Sequence, residues 1–197
     1  MSEVNIFIAC MLPERQRQQM EQVATRVRAV FRPEGKDEPF FHSTLLFIGK
    51  VDGGQLPFIQ EKMAEIAATQ SPIDIDIDSL GYFYNAKRQC VKVLYAVPSR
   101  IPTALTALCQ RLYTTIGKPL ASITTPPIGR PAQVHFTIAK RLRHRLGKQD
   151  FATLARQIEP FSIHATMGGM GLYHCKDLEH RYYREISHYT FKGEEAQ

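Results

Sequence analysis

The apolar positions of the chain follow two spacings, and their succession predicts strands and helices in a repeated order. Consecutive or alternating apolar residues predict strands over residues 4–11, 40–48, 73–77, 90–97, 134–139 and 161–167. Apolar residues three and four apart predict helices that begin at Pro13, Pro57 and Pro102, and a fourth helix around Phe151, Leu154 and Ile158. The order strand–helix–strand–helix–strand therefore occurs twice.

This repetition predicts a duplicated α+β fold whose halves are related by a pseudo-twofold axis. The halves span roughly residues 1–80 and 88–170, and two further strands within 171–192 complete the chain. A length of 197 residues fits one domain built from two intimately packed lobes. The first apolar run is too short to cross a membrane and lacks the basic flank of a signal peptide.

One short motif, H-x-T followed by an apolar residue, lies on the second strand of each half. It begins at His42 and again at His135, with Thr44 and Thr137 two residues later. Residues i and i+2 of a strand point to the same face, so each motif presents an imidazole beside a hydroxyl. Two such strands facing each other would place two histidines and two threonines around one site. That set of groups is suited to moving protons on either side of a phosphorus atom.

A third copy of the motif begins at His164, with Thr166 two residues later. In the repeated order it falls on the strand that corresponds to residues 73–77, which carry neither histidine nor threonine. Gly168 and Gly169 follow it, and paired glycines weaken a strand. We therefore predict a structural role for His164.

Composition and charge narrow the class of partner. Hydrophobic residues make up 44% of the chain and charged residues 22%, as in ordinary globular proteins. The net charge of +6 favours an anionic partner such as RNA. The four cysteines are scattered, without the spacing of a metal site, which predicts free thiols in a reducing, cytoplasmic compartment and no bound metal.

Two segments carry the likeness to a known family: HSTLLFIG at residues 42–49 and HFTIAK at residues 135–140. They resemble the paired motifs of the 2H phosphoesterase superfamily, and within it the bacterial RNA 2′,3′-cyclic phosphodiesterases, also called 2′-5′ RNA ligases. The likeness extends over nearly the whole chain. It departs from the subfamily at Val134, where proline is frequent, and at Lys140, where arginine is common; Arg141 follows directly.

The resemblance implies a bilobal α+β fold in which two antiparallel sheets line a central cleft, with helices outside. It also implies an enzyme without metal or cofactor that opens 2′,3′-cyclic phosphate ends of RNA to 2′-phosphates and that can run in reverse as a 2′-5′ ligase. His42 would be the proton donor and His135 the proton acceptor. Thr44, Thr137, Lys140 and Arg141 would bind the substrate. Separately from the resemblance, we expect the protein to act as a monomer.

Two alternatives stay open. One is a phosphodiesterase of the same superfamily that cleaves 2′-5′-linked oligoadenylates or cyclic nucleotides. The other is a non-catalytic nucleotide- or RNA-binding module, which would have no need of two intact motifs.

Two further segments could contact an RNA chain. The basic run over residues 140–148 follows the second motif and is either a phosphate-binding surface or a solvated loop and helix face. The segment over residues 81–88 is typical of a hairpin tip with aromatics beside two cations. Tyr82 or Tyr84 could stack on bases there, although aromatic residues in strands more often lie in the core.

Overall fold

The structure is a computed structural model that describes residues 3–33, 40–87, 90–124, 133–140, 146–177 and 182–193. Its strands and helices, in chain order, are β1 (Glu3–Met11), α1 (Glu14–Phe31), β2 (His42–Asp52), α2 (Leu56–Ala68), β3 (Ile73–Ile77), β4 (Ser79–Asn85), β5 (Cys90–Val97), α3 (Thr103–Leu112), α4 (Lys118–Leu120), β6 (Phe136–Lys140), α5 (Lys148–Ala155), β7 (Ile163–Met167), β8 (Gly169–Asp177) and β9 (Tyr182–Thr190). A 3₁₀ turn precedes α2, and a π turn joins α3 to α4.

The nine strands of the described ranges form two antiparallel sheets, so the α+β class with two antiparallel sheets is confirmed. The larger sheet has seven strands in the order β4-β5-β6-β2-β1-β8-β9, and β3 pairs with β7 in the smaller one. On either side of the β2–β6 contact the order is mirrored, because β1 and β8 occupy the places that β5 and β4 occupy in the other half. Strand β4, which follows the first half, thus pairs with β5, the first strand of the second half, and β8, which follows the second half, pairs with β1.

Helix α1 shows how the spacing of apolar residues fixes a buried face. Pro13 precedes it, and the helix ends at Arg32, which takes a left-handed conformation with φ of 46°. The residues that it buries are three or four positions apart: Met20, Val23, Ala24, Val27 and Phe31. This stripe packs into the main core, which the helices share with one face of each sheet.

Alternation along β1 separates the main core from a second, smaller apolar cluster. Ile6 and Ile8 are fully buried in the main core. Phe7 and Ala9 point the other way and pack with Tyr173 of β8. One face of the seven-stranded sheet therefore packs against the helices, and the opposite face carries the second, smaller cluster of buried apolar residues.

The two halves of the large sheet meet at one partner pair, Ser43 on β2 and Phe136 on β6. Both side chains are fully buried, and they lie on the face that packs against the main core. The hydroxyl of Ser43 finds no hydrogen-bond partner among the described residues. A buried hydroxyl without a partner loses its hydration without compensation.

We therefore expect the substitution Ser43→Ala to leave the free energy of unfolding unchanged or to raise it by up to about 1 kcal/mol. Urea denaturation measures this change. The matched control is Leu45→Ala, a fully buried neighbour, which should lose about 2–5 kcal/mol. A loss for Ser43→Ala comparable to that control would show that the hydroxyl makes a stabilising bond.

Candidate active site

The Ser43–Phe136 pair fixes where both motifs point. Because these two side chains enter the main core, the residues on either side of each must face the opposite surface of the sheet. Because the two strands are antiparallel, His42 lies opposite Thr137, and Thr44 lies opposite His135. We call this surface, defined by those four residues, the histidine face. Diagonal neighbours on such a ladder lie about 7–8 Å apart, so the structure brings both histidines to one small site.

Each imidazole is held by the same backbone contact. Nδ1 of His42 lies 2.7 Å from the carbonyl oxygen of Phe40, and Nδ1 of His135 lies 2.6 Å from the carbonyl oxygen of Gln133. A carbonyl oxygen can only accept, so each Nδ1 carries a proton and donates it. The nitrogen that can take up or release a proton is therefore Nε2 in both rings.

A β-bulge follows the threonine of each motif. The register of β2 against β1 slips at Leu45, and that of β6 against β5 slips at Ile138. Each bulge places two consecutive side chains in the core and returns the residue five positions after the histidine to the histidine face. That residue is Phe47 in the first half and Lys140 in the second. The apolar fourth residue of each motif is thus the bulge residue.

The site is electrically asymmetric because these two positions differ. Burial lowers the pKa of His135 below its ordinary value, and the positive charge of Lys140 lowers it further; the bond to Gln133 opposes both. In the first half the equivalent position is occupied by Phe47, whose side chain is 45% exposed and uncharged. His135 is therefore held towards its neutral form.

Aromatic rings surround His42. The centroids of Phe7, Phe40 and Tyr183 lie 5.2, 4.9 and 5.7 Å from that of its imidazole. Tyr183 belongs to β9, the strand at the edge of the large sheet, which pairs with β8. These contacts confine the ring in addition to its bond to Phe40.

Aromatic residues of β4 and β5 confine His135. The ring centroids of Phe83 and Tyr95 lie 4.9 and 5.2 Å from that of its imidazole. Sequence reasoning singled out Tyr82 and Tyr84 in this segment and missed Phe83. Tyr82 instead packs against Phe151, with centroids 4.4 Å apart. The segment over residues 81–85 is a regular strand, in which Phe83 and Tyr82 face opposite sides.

Of the two basic residues that we expect to bind the substrate, the structure describes Lys140 but not Arg141. Lys140 is half-buried at the end of β6, next to His135. Arg141 and the rest of the basic run up to residue 145 lie outside the described residues, as does Arg88. The predicted strand over 134–139 begins at Phe136, so His135 lies one residue before β6.

The third motif lies on the smaller sheet. His164 on β7 pairs with Asp76 on β3, and its Nδ1 lies 2.8 Å from the carboxylate. The hydroxyl of Thr166 donates to Asp74 at 2.6 Å. Both pairs are exposed to solvent, on a different sheet from His42 and His135. These contacts support the structural role predicted for His164.

The described parts of the chain contain neither a candidate metal site nor a candidate membrane span. No three histidine, cysteine or acidic side chains come together there as a metal-binding group. No helix in those parts has the length and apolar character needed to cross a membrane.

Comparison with known proteins relates this geometry to one family. The family model described as LigT like Phosphoesterase matches residues 11–93, which include the first motif and make up less than half of the chain. No curated protein matches the chain in sequence.

Solved structures match nearly the whole chain. TT0787 of Thermus thermophilus is 23% identical, with a TM-score of 0.75 over 97% of this chain and all of that one. E. coli LigT complexed with NADP⁺ is 19% identical, with a TM-score of 0.70 over 97% and 99% of the two chains. E. coli LigT complexed with 3′-AMP is 18% identical, with a TM-score of 0.70 over 96% and 99%.

This chain has the LigT-like 2H phosphoesterase fold. The fold that the resemblance to the 2H phosphoesterase superfamily implied is thereby confirmed. Within this fold, the first motif lies on β2 and the second begins one residue before β6, and these two strands meet at the centre of the large sheet.

The electrostatic asymmetry gives a direct prediction. Replacing Lys140 by methionine removes a positive charge near His135, so protonation of the imidazole becomes easier and the pKa of His135 rises. NMR titration of the His135 ring protons measures this shift. The control is Lys50→Met, because Lys50 is an exposed lysine of the same sheet that pairs with Glu3. A pKa of His135 that stays unchanged in Lys140→Met, or moves equally in both variants, would contradict the assignment.

Proposed function

We propose that this protein is a phosphodiesterase that opens 2′,3′-cyclic phosphate ends of RNA to 2′-phosphates by acid–base catalysis with two histidines. The observation that carries the proposal is the matched pair of imidazoles on the histidine face. Each has Nδ1 bound to a backbone carbonyl, which leaves Nε2 as its proton-exchanging atom.

His135 is the proton acceptor in this proposal. A general base must be neutral before the reaction, and burial together with Lys140 keeps the pKa of His135 below its ordinary value. Nε2 of His135 takes a proton from water as the water oxygen attacks phosphorus. Phosphoryl transfer places the attacking and leaving oxygens roughly in line, so the leaving oxygen lies on the far side of the phosphorus atom.

His42 is the proton donor on that far side. The bond from phosphorus to the ribose 3′-oxygen breaks, and Nε2 of His42 supplies the proton that this oxygen needs. The product carries a 2′-phosphate and a 3′-hydroxyl, while His135 has gained one proton and His42 has lost one. Exchange with solvent restores both, and the need for opposite protonation states predicts a bell-shaped dependence of the rate on pH.

The two threonines and Lys140 bind the phosphate in this proposal. Thr44 lies level with His135 and Thr137 level with His42, so a phosphate between the imidazoles has a hydroxyl on each side. These hydroxyls donate to the non-bridging oxygens, where charge accumulates in the transition state. Lys140 adds positive charge at the same place, and Arg141, the next residue in the sequence, binds the substrate as well in this proposal. The two histidines perform both proton transfers, so the scheme calls for no metal or cofactor.

An RNA substrate is supported by charge and by the relatives. The chain carries a net charge of +6, which favours a polyanion. Solved structures of E. coli LigT include complexes with 3′-AMP, NADP⁺, ATP and phosphate. We extend nucleotide-phosphate binding to this chain as part of the proposal. When a 5′-hydroxyl replaces water as the attacking group, a bond forms from its oxygen to phosphorus, the bond to the ribose 3′-oxygen breaks, and the same two proton transfers give a 2′-5′ linkage.

The decisive variants are His42→Ala and His135→Ala. Each should reduce the opening of cyclic-phosphate RNA by about 10²–10⁴-fold, because each removes one proton transfer. The assay is run in EDTA, where the wild-type protein should keep its activity. His164→Ala is the matched control and should retain the wild-type rate. Loss of wild-type activity in EDTA, or a larger loss in His164→Ala than in His135→Ala, would overturn the mechanism.

A substrate panel tests the specificity. We expect cyclic-phosphate RNA to be consumed with a higher kcat/KM than 2′-5′-linked oligoadenylate or a cyclic mononucleotide. A preference for the oligoadenylate would assign the protein to the sibling activity of the same superfamily. Binding of all three without turnover would mean that the protein is a binding module.

A further inference from the structure

Tyr95 occupies a position at which the two halves of the site differ. It lies on β5 opposite Thr137, and its side chain is 7% exposed. The corresponding position in the first half, opposite Thr44 on β1, is Ala9. The second motif thus has a large ring beside its threonine where the first has only a methyl group.

The ring of Tyr95 occupies space that is open only because Gly81 has no side chain. It pairs with Tyr95 across β4 and β5. A Cβ atom on Gly81 would lie 2.2 Å from Cε2 of Tyr95, far closer than atoms can approach. The ring therefore lies directly over the Gly81 backbone, a position that a residue with a side chain would block. Phe83 contacts the same ring at 4.7 Å between centroids.

We propose that Tyr95 is a positioning residue for His135: its ring, seated on Gly81, holds the imidazole in the orientation that binds the Gln133 carbonyl and shields it from water. The ring centroids of Tyr95 and His135 lie 5.2 Å apart with an interplanar angle of 59°. The inference rests on the proposed role of His135 as proton acceptor. A general base whose ring is held in one orientation spends little time in orientations from which it cannot accept the proton. Small displacements of a catalytic group lower the reaction rate strongly.

The ring carries this role, and the hydroxyl does not. Among the described residues, the Tyr95 hydroxyl reaches only the Tyr82 carbonyl, at 3.4 Å, which is long for a hydrogen bond. Among the described residues around His135, the ionisable ones are Lys140 on β6, Tyr95 on β5 and, diagonally across on β2, His42. Phe83 on β4 and Thr44 on β2 carry no charge. Burial raises the pKa of Tyr95, so it stays neutral while His135 titrates. Loss of the Tyr95 ring therefore acts on His135 through hydration and orientation.

The first test compares Tyr95→Leu with Tyr95→Phe. Removing the ring should lower kcat by roughly 10- to 100-fold, with little change in KM. It should also move the acidic limb of the dependence of rate on pH to higher pH, because water then reaches His135 and raises its pKa. Tyr95→Phe should restore both kcat and the limb to wild-type values. Tyr113→Leu, the same change at a tyrosine packed against the main core, should leave the limb in place. A pH profile of Tyr95→Leu identical to wild type would overturn the proposal.

Gly81→Ala tests the same ring from the other side. A methyl group there should displace the Tyr95 ring and lower kcat, whereas Gly168→Ala should be tolerated because its Cβ would meet nothing within 4 Å. In the Tyr95→Leu background the Gly81→Ala change should have little further effect. If Gly81→Ala is as damaging there as in the wild type, the glycine does not act through Tyr95.

NMR titration of His135 separates this inference from the proposed function. A raised pKa of His135 in Tyr95→Leu, with an unchanged value in Tyr95→Phe, supports the positioning role whether or not cyclic-phosphate RNA is the substrate. Wild-type protein that opens no cyclic phosphate would contradict the proposed function only. An unchanged pKa of His135 in Tyr95→Leu would contradict the positioning role only.

Discussion

The antiparallel pair of Ser43 and Phe136 is the contact on which the site depends. It joins the two halves of the large sheet, and it turns both of its side chains into the main core. As a direct consequence, His42 and His135 face the opposite surface, on adjacent strands. The backbone carbonyls two residues before each histidine then fix which nitrogen can exchange a proton. The same pair of residues therefore determines both how the sheet is joined and where the two imidazoles lie.

Duplication supplies two similar groups, and divergence gives them different environments. The bulges after Thr44 and Thr137 are equivalent, and they return equivalent positions to the histidine face. The residues there differ, because one half has Phe47 and the other has Lys140. Two imidazoles in identical environments would have no preference for which of them is protonated, whereas acid–base catalysis needs one neutral and one protonated. The asymmetry around His135 therefore suits the chemistry that we propose.

Much of this site could be predicted from local sequence patterns. The period of two showed that His42 and Thr44 share a face, and the repeated element order separated His164 from the other two motifs. The resemblance to 2H phosphoesterases indicated the fold, which the comparisons confirm. The residue roles inside the site stay predictions, to be decided by activity and titration of the variants.

Non-local pairing explains what the sequence could not show. The bulges depend on the register between strands that are far apart in the chain, and a local pattern does not encode that register. For the same reason Tyr95 looked like one apolar position among several on β5, although it lies beside His135. That β4 pairs with β5, and β8 with β1, likewise depends on which strands meet in the folded chain. The alternation over residues 81–85 was hidden because all of its central residues are aromatic or glycine.

The central claim is that one phosphorus atom lies between Nε2 of His42 and Nε2 of His135. A crystal structure with a nucleoside 2′,3′-cyclic vanadate, an analogue of the five-coordinate transition state, tests it most directly. We expect the two apical oxygens of vanadium to lie on opposite sides, each about 2.6–3.2 Å from one of these nitrogens. Vanadate bound away from the histidine face, or contacted by only one of the two imidazoles, would contradict the account.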